Sequence, residues 1–187
     1  MRRVLLALPF ALLPLACAQA HDDHEHGSLG AHEHGTAHLN VALAAQTLEL
    51  GLDSPAMNLV GFEHAASSDA DKAKVAAARK LLENPLALFA IPAAAKCTVT
   101  KQDLESPLFG NASGHDEHEE HDADGHQHAD VDADYQFECD NPAALKALDL
   151  ATLFKTFPAT QKVEVQMIGP SGQSGVEATP SNSQVSF

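Results

Sequence analysis

"TAHLNVALAAQTLELGLDS", residues 36 to 54, alternates apolar and polar residues on either side of Ala44-Ala45-Gln46. Leu39, Val41 and Leu43 recur at every second position, and Leu48, Leu50 and Leu52 repeat the pattern. Successive side chains of a strand point to opposite faces, so this period predicts a hairpin of two half-buried strands with one face turned to a core.

Downstream, "PAMNLVGFEHA" is apolar but broken by Pro55 and Gly61, and reads as a packed loop or short helical turn. Ser67-Ser68-Asp69 offers a cap for a helix over "ADKAKVAAARKLLEN", with Val75, Leu81 and Leu82 as its core stripe and Pro85 ending or kinking it. A second apolar turn, "LALFAI", leads into a strand at "KCTVTKQDL". Residues 105 to 130 carry no core pattern and are expected to form a disordered loop. Order resumes at "DADYQFEC", where Tyr135, Phe137 and Cys139 alternate with polar residues. "NPAALKALDLATLFKTF" reads as a helix capped by Asn141 with Pro142 in its first turn. "KVEVQMIGPSG" reads as a strand, and "SGVEATP" and "SQVSF" as short ones. Five or six mainly antiparallel strands with two or three helices on one face make an α+β domain over residues 36 to 187. Its core must rest on Leu, Val, Ala and eight phenylalanines, since Trp is absent and Tyr135 is the one tyrosine.

The chain opens MRRVLLALPFALLPLACAQA: two arginines, an apolar run from Val4 to Ala16, and the small-x-small triplet Ala18-Gln19-Ala20. That is the pattern of a cleavable secretory signal over residues 1 to 20, and its apolar run is shorter than the about 20 residues that cross a bilayer. A lipid-anchor reading at Cys17 competes, but Pro14 stands where that signal wants Leu. Cleavage after Ala20 takes the basic residues from 11 to 9 against 26 acids, and the net charge from -15 to about -17. Such a balance argues against nucleic acid or an anionic membrane as partner and favours cations. Cys97 and Cys139 remain in an exported, oxidising setting and are expected to pair; closing that loop stabilises the fold by about 4 kcal/mol on the chain-entropy model.

Histidine is the informative residue. Six of twelve, His21, His24, His26, His32, His34 and His38, sit in or just after an N-terminal tail (residues 21 to 35) expected to be flexible. Five more, His115, His118, His121, His126 and His128, fall in "GHDEHEEHDADGHQHAD", residues 114 to 130. Solubility needs only charge, whereas imidazole is the commonest nitrogen ligand for Zn, Cu and Ni. His24-x-His26, His32-x-His34, His118-x-x-His121 and His126-x-His128 let one segment place two imidazoles on an ion, with carboxylates completing the shell. Residues 102 to 145 contain no Lys or Arg to repel a dication. These clusters predict divalent-metal capture at several labile sites. His64 lies outside them, next to Glu63; it reads either as a histidine satisfied by a carbonyl or as part of an ordered site with Glu63 and His38 or His34. No metalloprotease motif is present, because His118-Glu119-Glu120-His121 is one residue short of H-E-x-x-H.

The sequence resembles the zinc-regulated periplasmic protein family (ZrgA-like). The likeness rests on the His-rich start running into "HGTAHLNVAL", on "SPAMNLVGFEH", on "AKCTV" and "YQFEC" around a His/Asp/Glu-rich insert, on "LFKTFP", and on Gly172-Gln173. That resemblance implies a periplasmic Zn(II)-binding protein, not an enzyme, that assists zinc acquisition or buffering beside an importer or its binding protein. Two alternatives stay open: a zinc-dependent hydrolase centred on His64 and Glu63, and a protein that sequesters Cu or Ni.

Overall fold

The computed structural model describes residues 33–110 and 129–187. The expected signal segment and most of the His-rich tail and insert lie outside the described residues.

The opening hairpin forms as its alternation requires. Strand β1 (Thr36–Ala44) pairs antiparallel with β2 (Thr47–Pro55), from His38 opposite Asp53 to Ala44 opposite Thr47. The connection is the two residues Ala45 and Gln46, with Ala45 at φ +53° to turn the chain tightly. Ala37, Leu39, Val41 and Leu43 of β1 and Leu48, Leu50 and Leu52 of β2 are buried on one face. Each buried leucine contributes roughly 1.5–3 kcal/mol of transfer free energy. Their polar alternates line the opposite face.

Four further strands extend this pair: β3 (Cys97–Glu105), β4 (Asp130–Cys139), β6 (Lys162–Gly169) and β7 (Gly172–Ala178). The six stand in the order β3-β4-β2-β1-β6-β7, and a second, two-stranded sheet joins β5 (Ala147–Asp149) to β8 (Gln184–Ser186). All pairings are antiparallel except β1 with β6, which run parallel. Cys97 and Cys139 are partners across β3 and β4 and form a disulfide. The Cys139 amide donates to the Gln46 carbonyl (2.8 Å), which fastens the hairpin turn to the end of β4.

Helices α1 (Ala56–Val60), α2 (Asp69–Leu82), α3 (Pro85–Leu88) and α4 (Ala151–Thr156) complete an α+β domain. Ser68 caps α2, its hydroxyl oxygen accepting from the Asp71 amide at 3.1 Å. The core stripe of α2 is Val75, Ala78 and Leu82, whereas the sequence suggested Leu81 beside Leu82. Leu81 is 44 % exposed, because residues three or four apart share a helix face and adjacent ones do not. Leu82 is held further by Tyr135 of β4, whose buried hydroxyl donates to the Leu82 carbonyl (2.9 Å). The helix is thus anchored on the apolar face of the sheet.

The segment read as one helix from Asn141 is three pieces: a 3-10 turn at Pro142–Ala144, strand β5, then α4. Tertiary pairing overrides helix propensity here. Leu148 is buried opposite Val185 of β8, and the Leu150 amide donates to the Ser183 carbonyl (3.0 Å). The Asp149 carboxylate then accepts from the Ala151 amide (2.9 Å) and the Ser183 hydroxyl (2.8 Å), which restarts the chain as α4. The insert leaves from a 3-10 turn at Pro107–Phe109, and β4 begins at Asp130, two positions before the expected Asp132. The Ser106 hydroxyl donates to the Asp130 carbonyl (2.7 Å) and so draws the two ends of the insert together.

Candidate metal centre

The part of the N-terminal histidine cluster that lies among the described residues is built on a buried amide. Asn58 of α1, 2 % exposed, accepts from the Gly35 amide through Oδ1 (2.7 Å). Its Nδ2 donates to the Thr36 carbonyl (2.8 Å) and to Ser54 Oγ (3.2 Å). One side chain therefore ties the start of β1 to the end of β2. From the other side the Gly35 carbonyl accepts the amides of Gln161 (2.7 Å) and Lys162 (2.9 Å). Gly35 makes this turn at φ +90°, a conformation that side chains with a Cβ seldom adopt.

At the far end of α1, Gly61 takes the left-handed conformation at φ +84° and ends the helix, which releases Phe62, Glu63 and His64 from it. Glu63 Oε1 comes to 3.0 Å from His34 Nε2. The carboxylate side chain is only 9 % exposed, while the imidazole is 51 % exposed, so solvent reaches the pair from the histidine side. His64 takes another course. Its ring stacks on Phe62 (centroids 4.7 Å apart, planes 17° apart), and Nδ1 lies 3.0 Å from the Ala65 carbonyl. A carbonyl can only accept, so Nδ1 carries the proton and Nε2 is the nitrogen left for another partner.

His38 sits on the polar face of β1, between Asp53 of β2 and Glu164 of β6 in the register, with Nδ1 3.6 Å from Glu164 Oε2. Glu164 is itself held by Lys162, whose ammonium lies 3.0 Å from Glu164, 3.9 Å from Glu33 and 4.0 Å from Glu177. The Lys162 hydrogen bond keeps the Glu164 carboxyl below its ordinary range, and the same partner raises the lysine. One ammonium thus offsets part of the charge of these three carboxylates.

Across β2, β3 and β4 the same face is different. Glu105, Asp132 and Asp53 are direct cross-strand partners, and Asp103 faces Asp134 in the next row. Partial burial, followed by the charges of Asp53, Asp130, Asp134 and Glu105, pushes the Asp132 carboxyl up to about 6. Gly51 lies opposite Asp134, and a Cβ there would meet Asp134 Oδ1 at 2.9 Å.

Of the residues the sequence singled out, the structure brings His34 and Glu63 together, places His38 beside Glu164, and sets His64 on Phe62. His21, His24, His26, His32, His115, His118, His121, His126 and His128 lie outside the described residues. Among the described residues, no group of three or more His, Cys, Asp or Glu side chains has the geometry of a metal site. Sequence reasoning missed Asn58, whose only signal was a polar residue inside an otherwise apolar "PAMNLV". It also missed the acidic rows, although Asp130, Asp132 and Asp134 recur at period two in "DVDADYQFEC".

The family model described as "ZrgA family zinc uptake protein" matches residues 31–187. A comparison with curated proteins gives no match.

Proposed function

Because this chain belongs to the ZrgA family of zinc uptake proteins, we propose that it is an exported, periplasmic protein that captures Zn(II) with histidine and carboxylate clusters for zinc acquisition or buffering. Its family is named for uptake of zinc, not for a reaction. Zinc is cargo in this reading, and the ligands are the histidines of the two His-rich segments together with the ordered pair His34 and Glu63. His32, His34, His38 and Glu63 would serve the N-terminal cluster, with His64 Nε2 as a further donor. His21, His24 and His26 lie upstream, and His115, His118, His121, His126 and His128 would form the second cluster. An importer or its binding protein would receive the ion.

The observation that supports this reading best is the pair itself. Two ligands at about 2.1 Å from a tetrahedral zinc stand about 3.4 Å apart. His34 Nε2 and Glu63 Oε1 stand 3.0 Å apart, so a small opening admits an ion where a hydrogen bond now lies. Glu63 is nearly buried and supplies a negative charge that is not screened by bulk water on every side, while the Asn58 clamp on Gly35 and Thr36 holds the chain next to His34. The remaining ligands come from neighbours in sequence, which makes the site labile, as delivery requires.

Isothermal titration of the exported chain with zinc tests this. Several zinc ions are expected to bind, fewer after deletion of residues 113 to 130, and fewer again in His34→Ala and Glu63→Ala. A single site untouched by the deletion and by both substitutions would overturn the assignment.

A further inference from the structure

We propose that the open face of the six-stranded sheet docks a lysine- and arginine-bearing segment of a partner protein. One row of this face can be followed in register across every strand: Glu105, Asp132, Asp53, His38, Glu164 and Glu177. Five of its six members are acids. The next row adds Asp103 and Asp134. Like charges directly opposite each other destabilise a sheet, so these rows work against the fold that carries them. The described cations on this face are Lys101 and Lys162, and Lys162 is engaged by Glu33, Glu164 and Glu177.

An open trough of about 530 Å³ crosses the six strands, with Asn40, Ala42 and Gly51 as its low floor and Glu49, Asp134 and Lys101 as its charged residues. Gly51 keeps that floor bare, since any side chain there would strike the Asp134 carboxylate. Asp132 and Asp134 bound an adjoining trough with Asp53, Asp103 and Glu105. On the same face Ile168 of β6, 60 % exposed and four positions along the strand from Glu164, gives an apolar contact.

Three occupants are distinguished by these dimensions and charges. Strands lie about 4.8 Å apart, so the row from β3 to β7 extends about 24 Å, and among the described residues no three of its side chains are arranged to hold one metal ion. A second copy of this chain on the same face would set acids against acids. A protein segment with several cationic side chains and an apolar one satisfies the acids and Ile168 together.

The test is a nitrogen-15 NMR titration of the full zinc-free chain with an octalysine peptide. Amide shifts are expected on β1, β2, β3 and β4. Affinity should fall about tenfold in the shape-conserving variant D53N/D132N/D134N, and similarly when salt is raised from about 0.03 to 0.3 M, while D69N/E83Q/D140N binds as the parent does. Shifts confined to other surfaces, or equal affinity in the two triple variants, would overturn the proposal. So would calcium or zinc saturating the same amides in a way the peptide cannot compete with. Concentration-dependent shifts of this face without peptide would assign it to self-association and overturn it equally. A native amide spectrum of each variant confirms that the comparison is between folded proteins.

Discussion

Replacing Asn58 by alanine removes three hydrogen bonds from one buried point: those to the Gly35 amide, the Thr36 carbonyl and the Ser54 hydroxyl. The backbone amide and carbonyl left behind are enclosed by β1, β2 and α1, and alanine brings no group to replace the lost ones. Leaving a buried donor or acceptor unsatisfied costs about 1–3 kcal/mol, so two of them with some relaxation cost about 3–4 kcal/mol in all. For a domain of this size each kcal/mol moves the melting temperature by about 2–4 °C, which predicts a fall near 10 °C. Urea unfolding followed by circular dichroism measures the free energy directly, with an unchanged slope as the sign that the native state is otherwise intact. Asn58→Asp should be destabilised as well, because a carboxylate still accepts from Gly35 but faces the Thr36 carbonyl with another acceptor. A loss below about 1 kcal/mol in Asn58→Ala would refute the clamp, and with it the account of how His34 is held beside Glu63.

Other consequences follow from the same packing. Asp132 ionises at about 6 in the folded chain against 3.8 ordinarily, so the folded state loses stability as pH rises from about 4 through 6. Asp132→Asn should therefore be more stable than the parent at pH 7.5, by about 1 kcal/mol once its solvent exposure is allowed for, with no gain below pH 4; urea midpoints across that range check it. Leu82→Ala should cost about 3 kcal/mol and Leu81→Ala under about 1, read from the same midpoints, because only Leu82 is buried. Removing the bridge in Cys97→Ser/Cys139→Ser should lower stability by about 4 kcal/mol, since the two cysteines lie 42 positions apart, and a loss near zero would show that the reduced chain already keeps these strands together.

Where a residue's fate depends on its near neighbours, the sequence was legible. The period-two leucines of β1 and β2 could serve only as strands with one buried face, and Ser68 announced α2 because capping is local. Partners distant along the chain were not legible. Nothing in "KVEVQMIG" says that β6 runs parallel to β1, nor in "ALKALDL" that Leu148 will meet Val185 of β8. The candidate site divides in the same way. The histidine clusters show in composition, whereas the choice of His34 over His38 as the partner of Glu63 depends on where α1 releases the chain. The acidic rows needed the order of the strands, which makes Glu105, Asp132 and Asp53 neighbours although they lie far apart in sequence.

The central claim is reversible ligation of zinc by imidazole and carboxylate groups, and equilibrium dialysis against micromolar free zinc at pH 7.5 and pH 5.5 tests it most directly. Imidazoles with a reference pKa near 6.5 take up protons in competition with the metal. Several bound zinc ions at pH 7.5 with most of them lost at pH 5.5 is the predicted result. Absence of bound zinc at pH 7.5, or an amount that does not change with pH, would contradict the account.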